Sequence, residues 1–285
     1  IGTLKHWTSV SNNAQLHTPP IISAPDGPLL GLKGSMKHNG IKWLFDDIQD
    51  RFLLLRFGSD GIPEQNFAQE LKEQLGPAGV NELFISPEGS ILVSGDHYGS
   101  WDLVPESDDL AGNSFVSRLN NQGNLDPSFG GDAPPPEIFR TADQAVDAVE
   151  HGGRIILLGN AQSGIGEEAE PAWALTRYKS DGSLDVTLGS HGVVTTKVGS
   201  TGGAKAATIN SDGRIYAAGS ADNKLALVRY QTNGTLDSEF GQEGIVKAAI
   251  AGRPSAANSV ATGKDQQPVV AGYVELGNRR YPALQ

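Results

Sequence analysis

Residues 225–240 read LALVRYQTNGTLDSEF, an apolar run followed by Arg229, Gly234, Asp237 and Phe240. Counted from the arginine, the same positions recur as Arg177, Gly182, Asp185 and Leu188. They recur again as Arg118, Gly123, Asp126 and Phe129, and as Arg56, Gly61, Glu64 and Phe67. The offsets do not change between copies, so the chain is a tandem repeat, and its fold is to be read one repeat unit at a time.

A second landmark sets the phase of the repeat. A turn followed by a strand ending in glycine appears as PDGPLLGLKG (25–34), PEGSILVSG (87–95), HGGRIILLG (151–159), SDGRIYAAG (211–219) and, with the turn altered, KDQQPVVAG (264–272). Asp-Gly and Glu-Gly supply the left-handed residue of a tight hairpin turn, and aliphatic flanks suit buried strands. The fullest unit reads as strand A (193–198), strand B (205–210), strand C (214–220) and strand D (224–231). One such sheet cannot bury both faces by itself, so five are expected to pack around an axis. The expected fold is all-β, a five-bladed β-propeller of four-stranded antiparallel blades forming a single domain over 1–285. Its blades run about 1–57, 58–119, 120–178, 179–230 and 231–285. A solenoid is the alternative, but it would want atypical polar caps at both ends. Residues 143–150 look helical in isolation but align with strand B, and the repeat context makes them a strand. Residues 43–48, inside an insertion, fit a short helix.

Composition limits the partners. A net charge of −11 repels phosphate backbones and anionic lipid heads, which argues against nucleic acid and membrane surfaces. The longest apolar runs, 155–158 and 52–55, fall far short of the roughly 20 residues a membrane span needs. With no cysteine, disulfides, thiolate catalysis and thiolate metal sites are excluded. A start at Ile1 suggests a processed protein or an excised domain.

RYKSDGSLDVTLGSHG and RYQTNGTLDSEFGQEG, each followed by a hairpin of the SDGRIYAAG type, resemble the delta-60 repeat family of bacterial proteins. The resemblance implies a β-propeller in a secreted or cell-envelope protein, with no general activity and no catalytic residues to transfer. The chain departs from the repeat at Glu64, at Leu188, at Pro134-Pro135-Pro136 and at Asp265-Gln266, where the glycine turn is lost.

Each repeat arginine precedes an acid by eight residues across a glycine turn: Arg56 and Glu64, Arg118 and Asp126, Arg177 and Asp185, Arg229 and Asp237. A charge-assisted bond in every unit reads as a folding device, with a ring of repeated ligand sites as the alternative. The connections from strand C to strand D differ far more: 36–49, 96–113 and 160–171 in units one to three, against 221–223 in unit four. Trp43, Trp101 and Trp173 lie in or beside them, with His38, Phe45, His97 and Tyr98. Amphipathic rings there could stack on sugar faces or anchor a protein, or each tryptophan could cover its own blade, the better reading for Trp173. The acids Asp102, Glu106, Asp108, Asp109, Glu167, Glu168 and Glu170 have no calcium-loop spacing and read as a solvated face, so neither metal nor cofactor is expected. Lys197 and Lys247 are candidates for lining a central channel. No hydrolase, phosphate-loop or zinc motif is present. A propeller glycosidase would need two channel-facing carboxylates, for which Glu70, Glu73 and Glu137 are the candidates.

The expected function is a noncatalytic binding or adhesion module that takes a glycan or protein on the C–D rim through Trp43, His97, Tyr98 and Trp101. A passive scaffold and a glycoside- or lactone-acting enzyme are the rivals. The ligand, the neighbouring domains and the oligomeric state are not legible in the sequence.

Overall fold

The computed structural model describes residues 14–16, 21–24, 27–36, 52–57, 62, 64, 66–68, 70–75, 78–85, 91–97, 113–130, 144–163, 170–277 and 279–284. In chain order the strands are β1 (Ala14–Leu16), β2 (Ile21–Ala24), β3 (Gly27–Met36), β4 (Phe52–Arg56), β5 (Ala78–Ile85), β6 (Ile91–His97) and β7 (Asn113–Leu119). They continue as β8 (Gln144–His151), β9 (Arg154–Ser163), β10 (Glu170–Tyr178), β11 (Val193–Thr196), β12 (Gly202–Ile209), β13 (Ile215–Ala221) and β14 (Lys224–Tyr230). The last are β15 (Ile245–Ala248), β16 (Ser255–Thr262), β17 (Pro268–Leu276) and β18 (Arg279–Leu284), and a short helix α1 (Leu71–Leu75) lies between β4 and β5.

These strands form five antiparallel sheets: β1–β4, β5–β7, β8–β11, β12–β15 and β16–β18. The landmark hairpins are the B and C strands of each sheet. Residues 144–151 form strand β8, as their place in the repeat requires, and residues 43–48 lie outside the described residues. At the altered turn, Gln266 takes φ +64° in place of a glycine and donates its N–H to Gly263 O, so the hairpin survives the substitution.

Strand A is where sequence and structure differ. Residues 193–196 pair with β10 and residues 245–248 pair with β14, each the D strand of the preceding unit. A sheet therefore runs B, C, D and then A of the following unit, and it straddles the boundaries at 178/179 and 230/231. The Arg-to-Phe connection is the physical reason. Asp185 N–H bonds Arg177 O at 2.7 Å and Asp237 N–H bonds Arg229 O at 2.9 Å, folding the chain straight back onto the strand it has just left. In unit two, α1 stands where strand A was expected. Phe67, Leu71 and Leu75 recur every four residues, place one face of this turn in the core, and carry Glu70 and Glu73 to the exposed side.

Period-two alternation sends neighbouring side chains to opposite faces, and both faces are used. Leu92 packs with Ile155, Leu157 and Tyr178 of the third sheet, whereas Val93 packs with Leu54 of the first and Leu83 of its own. Ile156, Leu158, Trp173 and Leu175 meet Ala217, Ala226 and Val228 of the fourth sheet. Tyr216, Ala218, Leu225 and Leu227 meet Ala257, Val260 and Val270 of the fifth. Each sheet thus has a forward face, toward the next sheet, and a rear face, toward the one before.

The B strands of sheets two to five each carry a bulge at one register position, between Val80 and Glu82, Ala145 and Asp147, Ala204 and Ala206, and Ala257 and Ser259. Opposite stand Gly95, Gly159, Gly219 and Gly272, the glycines that end the landmark strands. A Cβ on Gly219 would fall on the carbonyl oxygen of Gly203, and one on Gly272 on that of Ala256. In the first sheet, counting from Arg56 and its partner Leu29, this position holds Leu32, so Gly34 is not the counterpart of these glycines.

Candidate functional site

At the end of the sheets where strand D stops, the four repeat arginines make the same pair. Arg56 Nε donates to Glu64 Oε2 at 2.8 Å, Arg118 Nε to Asp126 Oδ2 at 2.8 Å, and Arg177 Nε to Asp185 Oδ2 at 2.8 Å. Arg229 Nε lies 2.7 Å from Asp237 Oδ2. A second nitrogen reaches the next copy of this joint, in the turn after the following D strand: Arg56 Nη1 donates to Asn121 O at 2.8 Å, Arg118 Nη1 to Ser180 O at 3.2 Å, and Arg177 Nη1 to Thr232 O at 2.5 Å. The guanidinium also covers an aromatic ring, Phe67, Phe129 or Phe240, with Arg–ring distances of 4.5, 5.1 and 4.6 Å. Leu188 gives Arg177 no ring, but its side chain is fully buried in the core.

The repeat glycine completes the joint. Gly182 has φ +80°, and a Cβ there would lie 2.8 Å from the Phe129 ring of the unit before; Gly234, at φ +86°, touches Leu188 in the same way. Arginine, glycine, acid and aromatic residue together lock one unit to the next. Burial pushes the Asp185 carboxyl up, but bonds from the Thr187 hydroxyl and N–H, together with the Arg177 charge, outweigh it and hold the group below the usual carboxylate range. Asp126 follows the same balance through Ser128 and Arg118. The tie is spent on backbone and neighbouring side chains of this chain.

The opposite rim carries the C–D connections. Between β13 and β14 the connection is the pair Asp222 and Asn223, both at positive φ, as a tight hairpin turn requires. His97 ends β6 and faces Asn113 across the ladder, so it stands at the base of connection 98–112. Tyr98, Trp101 and Trp43 lie outside the described residues, as do His38, Phe45, Asp102, Glu106, Asp108, Asp109, Glu137, Glu167 and Glu168. Trp173 is buried in the core between the third and fourth sheets, where it packs the interface of two sheets and does not cover an outer edge of one.

Lys247 lies on β15, Lys197 directly follows β11, and both strands are edges of their sheets; there Lys197 Nζ pairs with Glu170 Oε2 at 2.5 Å and Lys247 Nζ with Asp222 Oδ2 at 3.0 Å. The Lys247 bond and the Ser200 N–H hold the Asp222 carboxyl below its ordinary range.

Three polar ties escaped sequence reasoning. Asn160 Oδ1 accepts from Ala204 N at 2.7 Å, and Asp147 Oδ2 accepts from Ala207 N at 2.6 Å, both binding β12 to the third sheet. Tyr230 donates its hydroxyl to Thr196 Oγ1 at 3.0 Å, and burial pushes its pKa up. Among the described residues each tie occurs once, so the repeat pattern gave no signal of it. Among the described residues no three His, Asp or Glu side chains gather as a metal site, and no helix is long and apolar enough to cross a membrane.

A family described as a β-propeller domain of unknown function (DUF5122) matches residues 153–188 and 210–240, the stretches that hold the third and fourth copies of the repeat joint. No curated protein matches the sequence. Among solved structures, a protein of unknown function from Dyadobacter fermentans DSM 18053 is similar with a TM-score of 0.55 at 13% identity, over 92% of this chain and 76% of that one. The polysaccharide lyase Uly1 is similar with a TM-score of 0.52 at 14% identity, over 95% of this chain and 57% of the lyase. At these identities the likeness is one of fold: an all-β chain of antiparallel sheets with propeller-like neighbours.

Proposed function

We propose that the chain is a five-bladed β-propeller of the delta-60 repeat type, acting as a noncatalytic binding module of a secreted or cell-envelope bacterial protein. Its ligand is a glycan or protein surface taken on the C–D rim, with Trp43, His97, Tyr98 and Trp101 as the contacts. The supporting observation is the division of labour between the two rims. The D-strand rim repeats one side-chain lattice in four units, whereas the C–D connections range from residues 222–223 to residues 98–112. Insertions on a rigid scaffold acquire specificity at small cost in loop closure. The lyase likeness supports a glycoside-acting alternative only at the level of fold, and two of its candidate carboxylates, Glu70 and Glu73, stand exposed on and beside α1.

The test replaces residues 98–112 and 37–51 with the Asp-Asn turn of the fourth sheet. Binding on a glycan array, or capture of a cell-surface protein, is expected to vanish while the melting temperature stays within a few degrees. A ligand retained by this trimmed chain sinks the rim assignment. The absence of any ligand for the full chain favours a passive scaffold.

A further inference from the structure

The chain carries a net charge of −11, yet the two rims of its fourth and fifth sheets differ in sign. At the D-strand rim of these sheets Asp212, Asp237, Glu239, Glu243 and Asp265 outnumber Arg214, Arg229 and Lys264. At the C–D rim the balance reverses: Lys224, Lys247, Arg253, Arg279 and Arg280 stand against Asp222 and Glu275 alone. Both acids are already taken, Asp222 by Lys247 at 3.0 Å and Glu275 by Arg280 at 3.1 Å. Lys224, Arg253 and Arg279 are exposed and have no acidic partner among the described residues.

Backbone bonds gather these three cations at one step between the sheets. On either side of Lys224, Asn223 O accepts from Ser255 N at 3.0 Å and Leu225 N donates to Ser255 Oγ at 3.1 Å. Next to Arg253, Pro254 O accepts from Glu275 N at 2.8 Å, and Arg279 faces Leu276 across the β17–β18 ladder. Register aligns Val274 with Ala221, so β17 runs two residues past the end of β13 and its hairpin stands roughly 7 Å taller than the turn at 222–223. The rear face of that hairpin forms the wall of the step. Val270 packs this face against the fourth sheet, and alternation turns Leu276, Arg279 and Tyr281 the same way. Leu276 is 38% exposed and Tyr281 41%. On the opposite face Arg280 covers the Tyr273 ring at 4.3 Å while it pairs with Glu275, which stiffens the hairpin.

We propose that this step binds an acidic glycan, with carboxylate or sulfate groups on Lys224, Arg253 and Arg279 and a sugar face on Tyr281. The inference rests on the reading of the C–D rim as a binding surface and names the class of its ligand. A guanidinium fork takes a planar or tetrahedral oxyanion through two parallel bonds, and an exposed phenol ring beside an aliphatic side chain offers an apolar platform with a polar tip. Screening over about 8 Å at physiological ionic strength uncouples the step from the acids of the other rim. Duplex nucleic acid, with one charge per ~1.7 Å, would press most of its charge against the acidic remainder of the chain, whereas an acidic glycan spaces its charges by whole sugar rings.

The probes are polygalacturonate and dextran sulfate, with dextran, polyglutamate and duplex DNA as controls. The full chain is expected to bind the first two, more weakly as salt rises from about 50 to about 200 mM, and to ignore dextran. The combined variant Lys224→Gln, Arg253→Gln, Arg279→Gln is expected to weaken binding at least about tenfold, Tyr281→Ala several-fold, and Lys264→Gln on the opposite rim not at all. All of these side chains are exposed, so the melting temperature should stay within a few degrees of the parent. Failure to bind either acidic glycan, equal binding of dextran, or a triple variant that binds like the parent overturns the proposal. Polyglutamate or duplex DNA bound as tightly as the glycans overturns it in favour of an acidic protein or a nucleic acid. The two readings fail separately. Binding lost by the chain trimmed at 98–112 and 37–51 but kept by the triple variant removes the step and spares the loop contacts; the converse removes the loop contacts and spares the step.

Discussion

At one end of the sheets four arginines repeat a single geometry, and at the other the connections share neither length nor composition. The first rim is built from contacts that bridge units: Arg177 reaches Thr232 O, Gly182 rests on Phe129, and Gly189 N–H bonds Asn233 O at 2.9 Å. A change there is felt by two sheets. The second rim holds exposed pairs such as Lys247 and Asp222, which tie a strand end to a turn within one sheet. The contrast teaches where variation is tolerated: one rim repeats the joint between units in four copies, and the other bridges sheets through single contacts such as Asn160 with Ala204 N and Asn223 O with Ser255 N.

The largest expected effect tests the first rim at its tightest point. Gly182→Ala would strain a backbone at φ +80° and drive a methyl into Phe129 and the Gly130 nitrogen. A left-handed residue costs about 1–2 kcal/mol and overpacking about 1–3 kcal/mol more, so the loss expected from a urea titration is about 4 kcal/mol. A variant within 1 kcal/mol of the parent breaks the comparison.

Next comes Arg177→Ala, which leaves the buried Asp185 with only the exposed Arg154, 3.2 Å away, as a charged partner; removing the buried member of such a pair costs about 3 kcal/mol. The effect carries a pH signature. Because the folded Asp185 carboxyl titrates below its ordinary value, the stability it contributes is present above about pH 4 and is lost as pH falls through the lower folded value. The parent should therefore lose more stability between pH 7 and pH 3 than the variant does. Equal losses would mean that the pair is not the anchor of this joint.

The smallest effect belongs to the second rim. Lys247→Ala removes an ion pair exposed on both sides and should cost under about 1 kcal/mol, with 0.5 M salt removing most of the difference. A loss as large as that of Arg177→Ala would erase the distinction between the rims.

Much of the first rim was legible because its contacts are local or periodic. Arg177 to Asp185 is a fixed offset, and repetition in four copies marks it as structural before any coordinates are seen. The strand character of 144–151 was legible for the same reason, since repeat phase outweighed its helical look. Strand A was misplaced because residues 193–196 alternate well enough for either sheet. The choice is made by backbone bonds of the Arg-to-Phe connection, which no side-chain pattern encodes. Asn160 and Asp147 stayed hidden because each bonds to backbone amides of β12, which any residue would offer. The candidate site was legible only as aromatic residues in variable connections, with His97 fixed by the ladder at the base of one of them.

The loan of strand A to the sheet before it has a consequence for how such a chain can lengthen. A tandem duplication that begins and ends at the Arg-to-Phe connections inserts a unit whose first strand completes its upstream neighbour and whose own edge is completed by the unit downstream. Every insertion inherits one strand and surrenders one, so no sheet is left short at any internal position. Copy number is then free of the hydrogen-bond ladder, and only the angle between packed sheets limits how many units the architecture admits.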